Sequence, residues 1–326
     1  MNVKVSICIV TYNSEAHIGN CLSAVLRQSH APERIVVVDN ASADRTVELV
    51  KRYGEVQLIA NDINNGFAGG QNQAIAAAAE SDYVLVLNPD VTLDPRYIEY
   101  IVAVMENDPE VGSATGKLVH ALDPSVMDSA GIGMRERDRQ GYDLGAGEQA
   151  ELWNEERNVF GVSGAAAVYR MAMIRDISLD GQFFDEQFFA YKEDVDVAWR
   201  AQTLGWTARY VPQALALHHR GWKKGGRRAM PLFVRRHSYQ NRFFTLIKNE
   251  RPGWHWLRLI PALLLIEGAK LGYIVLREPG LLACWPTIFK LFPDMRRKRK
   301  LIRDQAAGRI AAKGRNAVRA GESLVK

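Results

Sequence analysis

Long uninterrupted apolar runs are missing from this 326-residue chain. The longest, residues 259–266, falls far short of the roughly 20 residues that a membrane-spanning helix needs. Cysteine is scarce, and Cys8, Cys21 and Cys284 have no metal-ligand spacing. A disulfide scaffold or a cysteine zinc site is therefore not expected, and a reducing compartment is. No Gly-x-Gly-x-x-Gly follows the first apolar segment and no P-loop occurs, which excludes the usual dinucleotide and ATP sites. The lack of Gly-x-Ser-x-Gly weighs against an α/β-hydrolase. The opening MNVKVSICIVTYN lacks the charged start, apolar core and cleavage site of a signal peptide, so a cytoplasmic location is expected. Internal repeats and low-complexity tracts are also absent.

What is present is an ordinary globular composition, 47% hydrophobic and 24% charged, which rules out wholesale disorder and fibrous architecture. The net charge of +5 hides a strong asymmetry. Residues 1–219 carry 17 basic and 31 acidic side chains, whereas residues 220–326 carry 25 basic and 6 acidic ones. An acidic body with a basic C-terminal third implies a polyanionic partner for that third. Nucleic acid, anionic lipid headgroups and diphosphate-bearing molecules all qualify.

The first half alternates short apolar runs with helix-like segments. Residues 5–10, 34–39, 56–60, 83–88 and 111–115 read as strands, with helices near 15–28, 43–53, 70–80 and 95–107. Continuous apolar strands between helices indicate a mostly parallel sheet covered on both faces, with ligands bound beyond the carboxyl ends of its strands. Residues 120–158 are rich in Gly, Asp, Glu and Arg without apolar period and read as a mobile surface segment or lid. A small-residue strand at 160–170, a helix near 193–204 and strands near 206–211 and 214–218 follow. From 230 onward the chain reads as helical. Its apolar stretch 254–276 is interrupted by Arg258, Pro261, Glu267 and Lys270, and is flanked by Trp254, Trp256 and the basic run 296–300. Such helices suit an in-plane anchor on anionic lipid. A helical subdomain covering its own core is the plain alternative, and an exposed apolar helix pair could equally serve a homodimer.

Several residues at strand ends could carry chemistry. Asp39 closes the second strand, either as a helix cap or as an acceptor for a nucleotide base or ribose. Asn88-Pro89-Asp90 closes the fourth strand, and Pro89 commits the backbone to a turn. There Asp90 could meet a hard cation and a diphosphate, or simply serve the turn. The run NNGFAGGQN (64–72) sets glycines and amides before a helix start, where an anion is favoured. Glu193, Asp194 and Asp196 crowd a helix start. They either complement its dipole or raise one another's pKa to create a general base. His218 and His219 end a strand ahead of RGWKKGGRR (220–228), which suggests a metal or phosphate site beside a mobile basic loop.

Taken together, VTYNSEAHIGNCLSAVLRQ, VVVDNASADRT, NNGFAGGQN, NPD, GVSGAA and EDVDVAWRAQTLGW resemble the family-two inverting glycosyltransferases, rhamnosyltransferase-like branch. The resemblance covers about 1–225, with the motifs in the family's order. It implies a GT-A fold within the α/β class. A catalytic domain would span 1–229, with a nucleotide-sugar half at 1–118, an acceptor half at 119–229, and a C-terminal helical, membrane-associating extension at 230–326. By this resemblance Thr11, Tyr12 and Asn13 lie along the nucleotide and Asp39 reads the pyrimidine base. Asn40, Ser42, Asn65, Gly66, Gly69, Asn72, Asn88, Gly164 and Glu193 join them in binding substrate. Asp90 and His218 would hold a divalent cation, Mg²⁺ or Mn²⁺, with Asn88 standing where the family's metal motif has its first Asp. Asp194 would be the catalytic base.

The implied reaction is sugar transfer from a nucleotide-diphospho-sugar, dTDP-rhamnose first and a UDP-sugar second, to a hydroxyl of a lipid-linked or cell-surface polysaccharide acceptor. The place would be the inner face of the cell membrane, as a peripheral protein. A non-catalytic nucleotide-sugar-binding relative is the competing class. Nucleic-acid binding through the basic third is not expected, because no helix-turn-helix, zinc-finger or aromatic RNA-binding signature occurs.

Overall fold

The computed structural model describes residues 3–219, 230–250 and 254–323. Along the chain run β1 (Val5–Thr11), α1 (Ile18–Leu26), β2 (Arg34–Asn40), α2 (Thr46–Val50), β3 (Val56–Asn61), α3 (Gly66–Ala77), β4 (Tyr83–Leu87), β5 (Val91–Leu93) and α4 (Tyr97–Asn107). Next come β6 (Val111–His120), β7 (Asp123–Ser129), β8 (Ile132–Arg135), β9 (Gln140–Asp143), β10 (Arg157–Val159), β11 (Ala166–Arg170), α5 (Met171–Ile177), α6 (Glu193–Thr203) and β12 (Thr207–His218). Three helices close the chain: α7 (Leu232–Asn249), α8 (Trp254–Arg277) and α9 (Trp285–Ser323).

The main sheet has the order β10-β12-β6-β11-β4-β1-β2-β3, with β5 paired to β12 and β7 to β6. Strands β4, β1, β2 and β3 are mutually parallel, whereas β11 runs antiparallel between β4 and β6. Successive side chains on a strand face opposite ways, so both faces of a covered sheet must be apolar. Ile7, Ile9, Val37 and Leu85 pack on one face, and Cys8, Val36, Val38 and Val86 on the other. Each such burial contributes roughly 1.5–3 kcal/mol. Helix α3 can lie this close because Gly70 has no side chain: a Cβ there would sit 2.8 Å from Val10 Cγ2.

Two expectations change. Residues 120–158 do not form a structureless lid; they build β7, the β8–β9 hairpin and β10, and bury Met127, Ala130 and Ile132. The elements are too short, and too often glycine or charge, to show an apolar period. The strands expected at 206–211 and 214–218 are one strand, β12, whose pairing with β6 slips between Val211 and Leu215, where Pro212 interrupts the ladder.

The C-terminal helices are built into the body. Phe188, from the loop before α6, packs with Tyr239 and Phe244 of α7 and with Ile288 and Met295 of α9. Farther along α9, Ile302 and Ala306 join the core beneath the main sheet. A buried charge network adds to this. Lys248 of α7 bridges Asp185 at 2.7 Å and Asp196 of α6 at 2.8 Å, Asn249 donates to Asp196, and Lys298 of α9 reaches Asp185 at 2.8 Å. Arg200 completes the shell with a 2.9 Å pair to Asp196. Among the described residues no helix is long and apolar enough to cross a membrane.

Candidate active site

Four strand ends deliver the site. Beyond β4, Asn88 N–H donates to Ala165 O and the chain turns at Pro89 before β5 pairs with the end of β12. That pairing sets His218 opposite Val91 and brings its Nε2 to 3.4 Å from Asp90 Oδ1. On the other side of the ring, His218 Nδ1 lies 2.7 Å from Asp128 Oδ2 of β7, and both side chains are buried. Burial disfavours the charged imidazole, but the bonds to Asp128 and Asp90 outweigh it and push its pKa up to about 9. Next to it, His219 N–H donates to Asp90 O at 2.8 Å.

Opposite this pair stands the first turn of α6. Asp194 Oδ1 accepts from Val195 N–H at 2.7 Å, and Oδ2 faces Gly164 N–H at 3.4 Å. Burial, reinforced by the charge of Asp143, raises the Asp194 pKa. Burial and Asp194 together lift Glu193 to about 8, and its buried Oε2 has no hydrogen-bond partner among the described residues. A carboxylate so placed is a stronger base than a solvated one.

Asn88, Asp90, Gly164, Glu193, Asp194 and His218 line a single cleft of about 530 Å³, together with Phe67, Tyr142, Tyr191 and Lys192. The remaining expected residues lie at the ends of β1 and β2 and in the first turns of α3, and many of their polar groups bind one another. Asp39 Oδ1 accepts from Thr11 Oγ1 and Ser42 Oγ at 2.8 and 2.6 Å, and Oδ2 from Ser42 N–H, with the carboxylate 1% exposed. Asn13 Oδ1 accepts from Ala43 N–H, while Tyr12 stands exposed. Asn40 Nδ2 donates to Gly66 O, and Asn72 pairs both ways with the main chain of Phe184. Asn65 immediately precedes α3, Gly69 lies in its first turns, and Gly66 opens it at φ +74°. A Cβ on Gly66 would meet Phe189 O at 2.4 Å, so the glycine is obligatory there. The basic run 220–228 lies outside the described residues.

Sequence reading missed Asp128, Asp143, Tyr142, Tyr191 and Lys192. The first three sit in the segment whose strands are hidden by their shortness. Tyr191 and Lys192 are placed by backbone conformation, with φ of 74° and 70°, which residue type does not announce.

The family model of glycosyl transferase family 2 matches residues 6–177. An N-acetylglucosaminyl-diphospho-decaprenol L-rhamnosyltransferase of Mycobacterium tuberculosis is 29% identical over 268 residues, 75% of this chain and 84% of that protein. A poly-β-1,6-N-acetyl-D-glucosamine synthase of Staphylococcus epidermidis is 21% identical over 65% of this chain and 48% of its own length. Among solved structures, the mannosyltransferase PcManGT of Pyrobaculum calidifontis, in complex with GDP-Man and Mn²⁺, superposes with a TM-score of 0.56 at 17% identity, over 95% of this chain and 88% of that one. S. aureus TarS in complex with UDP gives 0.56 at 16% identity, over 94% and 89%. At these identities the superpositions establish a shared fold.

Proposed function

From the premise that the chain belongs to glycosyl transferase family 2 and is a glycosyltransferase of GT-A fold, we propose that it moves rhamnose from dTDP-rhamnose to a hydroxyl of a lipid-linked saccharide, inverting the anomeric centre. The observation that carries this reading is Asp194, half-buried and raised in pKa, in the same cleft as Asp90 and His218. The rhamnosyltransferase relative supports the donor and acceptor classes.

Asp194 accepts the proton of the acceptor hydroxyl as its oxygen bonds to the anomeric carbon and the bond to the nucleoside diphosphate breaks. One displacement needs no enzyme nucleophile. The cleft walls of Phe67 and Tyr142 limit water, which would otherwise compete as acceptor. Asp90 and His218 suit a divalent cation. Asp128 occupies Nδ1 and so turns Nε2 toward Asp90, the carboxylate–histidine arrangement of many metal sites. No cluster of three or more ligating side chains occurs among the described residues. Two protein ligands supplemented by substrate phosphates is the usual habit of Mg²⁺. Bound there, the ion would neutralise charge on the diphosphate.

The acceptor class also accounts for the C-terminal surface. Leu264, Leu265 and Leu276 of α8 and Phe289 of α9 are 69%, 75%, 80% and 70% exposed, and α9 also carries a basic surface of Arg296, Arg299, Lys300 and Arg303. Exposed apolar residues beside such charge suit peripheral docking on the anionic inner face of the membrane. Flotation with phosphatidylglycerol liposomes, but not with neutral ones, is expected.

A UDP-sugar donor is the second reading, favoured by the structural neighbour solved with UDP. Thermal stability with dTDP, UDP and GDP, each with and without Mg²⁺ or Mn²⁺, separates the two. At ~100-fold over Kd a nucleotide adds ~2.7 kcal/mol. A shift for dTDP only with metal is expected. A shift for UDP alone would replace the donor, and no shift with any nucleotide would overturn the reading.

A further inference from the structure

Three of the four residues that lead into the catalytic helix, Phe189, Tyr191 and Lys192, are held in an unfavourable backbone conformation. Phe189 has φ 59° and ψ −64°, and Ala190 N–H donates to Phe188 O at 2.7 Å, which is the rare positive-φ form of the γ-turn. Tyr191 and Lys192 follow at φ 74° and 70°, and α6 begins at once with Glu193 and Asp194. Non-glycine residues are strained in these regions and persist there only where their surroundings impose them.

The surroundings are specific. Asn241 of α7, fully buried, directs Nδ2 at three of the carbonyls: Phe188 O at 2.8 Å, Ala190 O at 2.9 Å and Tyr191 O at 2.7 Å. The fourth carbonyl, Phe189 O, accepts from Ala68 N–H at 3.1 Å, in the first turn of α3. The Phe189 ring packs against Phe233 and His237 of α7, with centroids 5.5 and 5.4 Å away. Four successive carbonyls are thus gripped by a C-terminal helix and by the glycine-rich loop, and the gripped segment ends one residue before Glu193.

We infer that Asn241 is a positioning residue for catalysis: its amide holds the strained 188–192 turn and thereby fixes Asp194 toward the cleft. Helix α7 is then part of the catalytic machinery as well as part of the platform for the membrane-facing helices. This rests on the reading of Asp194 as the base.

The test uses the full chain with Asn241→Leu, which keeps similar bulk without the donor, and Asn241→Ser, which keeps one short donor. Transfer from dTDP-rhamnose to a synthetic N-acetylglucosaminyl diphospho-lipid is measured together with dTDP affinity by calorimetry. Misplacing a reacting group by about 1 Å can cost ~10²-fold. Asn241→Leu should therefore lower kcat by roughly 10–100-fold. Its dTDP Kd should stay within about twofold, since binding and chemistry are separable. The acidic limb of its pH profile should move to lower pH, because a loosened turn admits water to Asp194. Asn241→Ser should fall between it and the wild type, and it carries the test if the leucine variant does not fold. Amide exchange should quicken across 189–195 and not in β1–β4.

A folded leucine variant with kcat within about twofold of the wild type, or a kcat loss with an unmoved pH profile, would overturn the inference. Asp194→Asn run alongside keeps the two claims apart. If it is inactive while Asn241→Leu is active, only the positioning role fails; if Asp194→Asn is active, the base assignment itself fails.

Discussion

Replacing Lys248 with methionine removes a cation that bonds both Asp185 and Asp196, at 2.7 and 2.8 Å, from a position with no exposed surface. Breaking a buried pair by deleting one partner costs about 3–5 kcal/mol, because the remaining charge stays buried without its counterion. Here Arg200 still serves Asp196 and Lys298 still serves Asp185, so the low end, about 3 kcal/mol, is expected. At ~2–4 °C per kcal/mol for chains somewhat smaller than this one, the melting temperature should drop by roughly 5–10 °C. Urea unfolding and calorimetry at pH 7 measure both quantities.

The acid dependence supplies a second check. Burial would raise both carboxyls, but the Lys248 charge, with Lys298 for Asp185 and Arg200 for Asp196, holds them below the ordinary 3.8. Stability from a depressed carboxyl is present above its unfolded pKa and is lost as pH falls toward the folded value. The gap between wild type and Lys248→Met should therefore narrow below about pH 4. A loss under ~1 kcal/mol at pH 7 would reduce the network to the worth of a surface pair. Such a result, or a gap that stays constant into acid, would refute the claim that these charges fasten α7 to α6.

Other outcomes follow from the same geometry. Glu193, lifted to about 8 by burial and by Asp194, contributes stability below its ordinary pKa of 4.5 that is lost as pH rises through 8. Glu193→Gln should accordingly raise the melting temperature at pH 9 and change it little at pH 4; a fall at pH 9 would contradict this. Gly66→Ala forces a Cβ to within 2.4 Å of Phe189 O at φ +74°, and should cost about 1–3 kcal/mol in urea unfolding. His218→Ala and Asp90→Asn should each abolish the metal-dependent part of nucleotide-induced stabilisation in a thermal-shift assay, and an undiminished metal effect would dismiss both as ligands.

Much of the catalytic half is legible in the sequence because parallel strands buried on both faces must be continuously apolar, as RIVVVD and YVLVLN are. The polar residues that stop those runs fall at the sheet's carboxyl edge, which is how Asn88, Asp90 and His218 stand out in the sequence, while Asp194 stands out as one of three carboxylates crowding a helix start. Asp128 is invisible because its strand, DPSVMDS, is mostly polar and gains its place by pairing with β6. Tyr191 and Lys192 are invisible because residue type does not announce their positive φ, and the Tyr191 carbonyl is held by Asn241, 50 residues away in the chain. The basic run at 296–300 misleads in part. Lys298 turns inward to Asp185, Arg297 pairs with Asp180 and Asp294, and Arg299 donates to Glu250 O, so much of the run is engaged within the chain.

In the proposed reaction Asp194 takes the acceptor's proton in a single displacement. The direct measurement is the rate of rhamnosyl transfer by Asp194→Asn, with dTDP binding and melting temperature recorded on the same preparation. General-base catalysis is worth ~10²–10⁴-fold, so transfer should fall by that factor while nucleotide binding and folding persist. A folded, nucleotide-binding Asp194→Asn protein that transfers at near the wild-type rate would contradict the account.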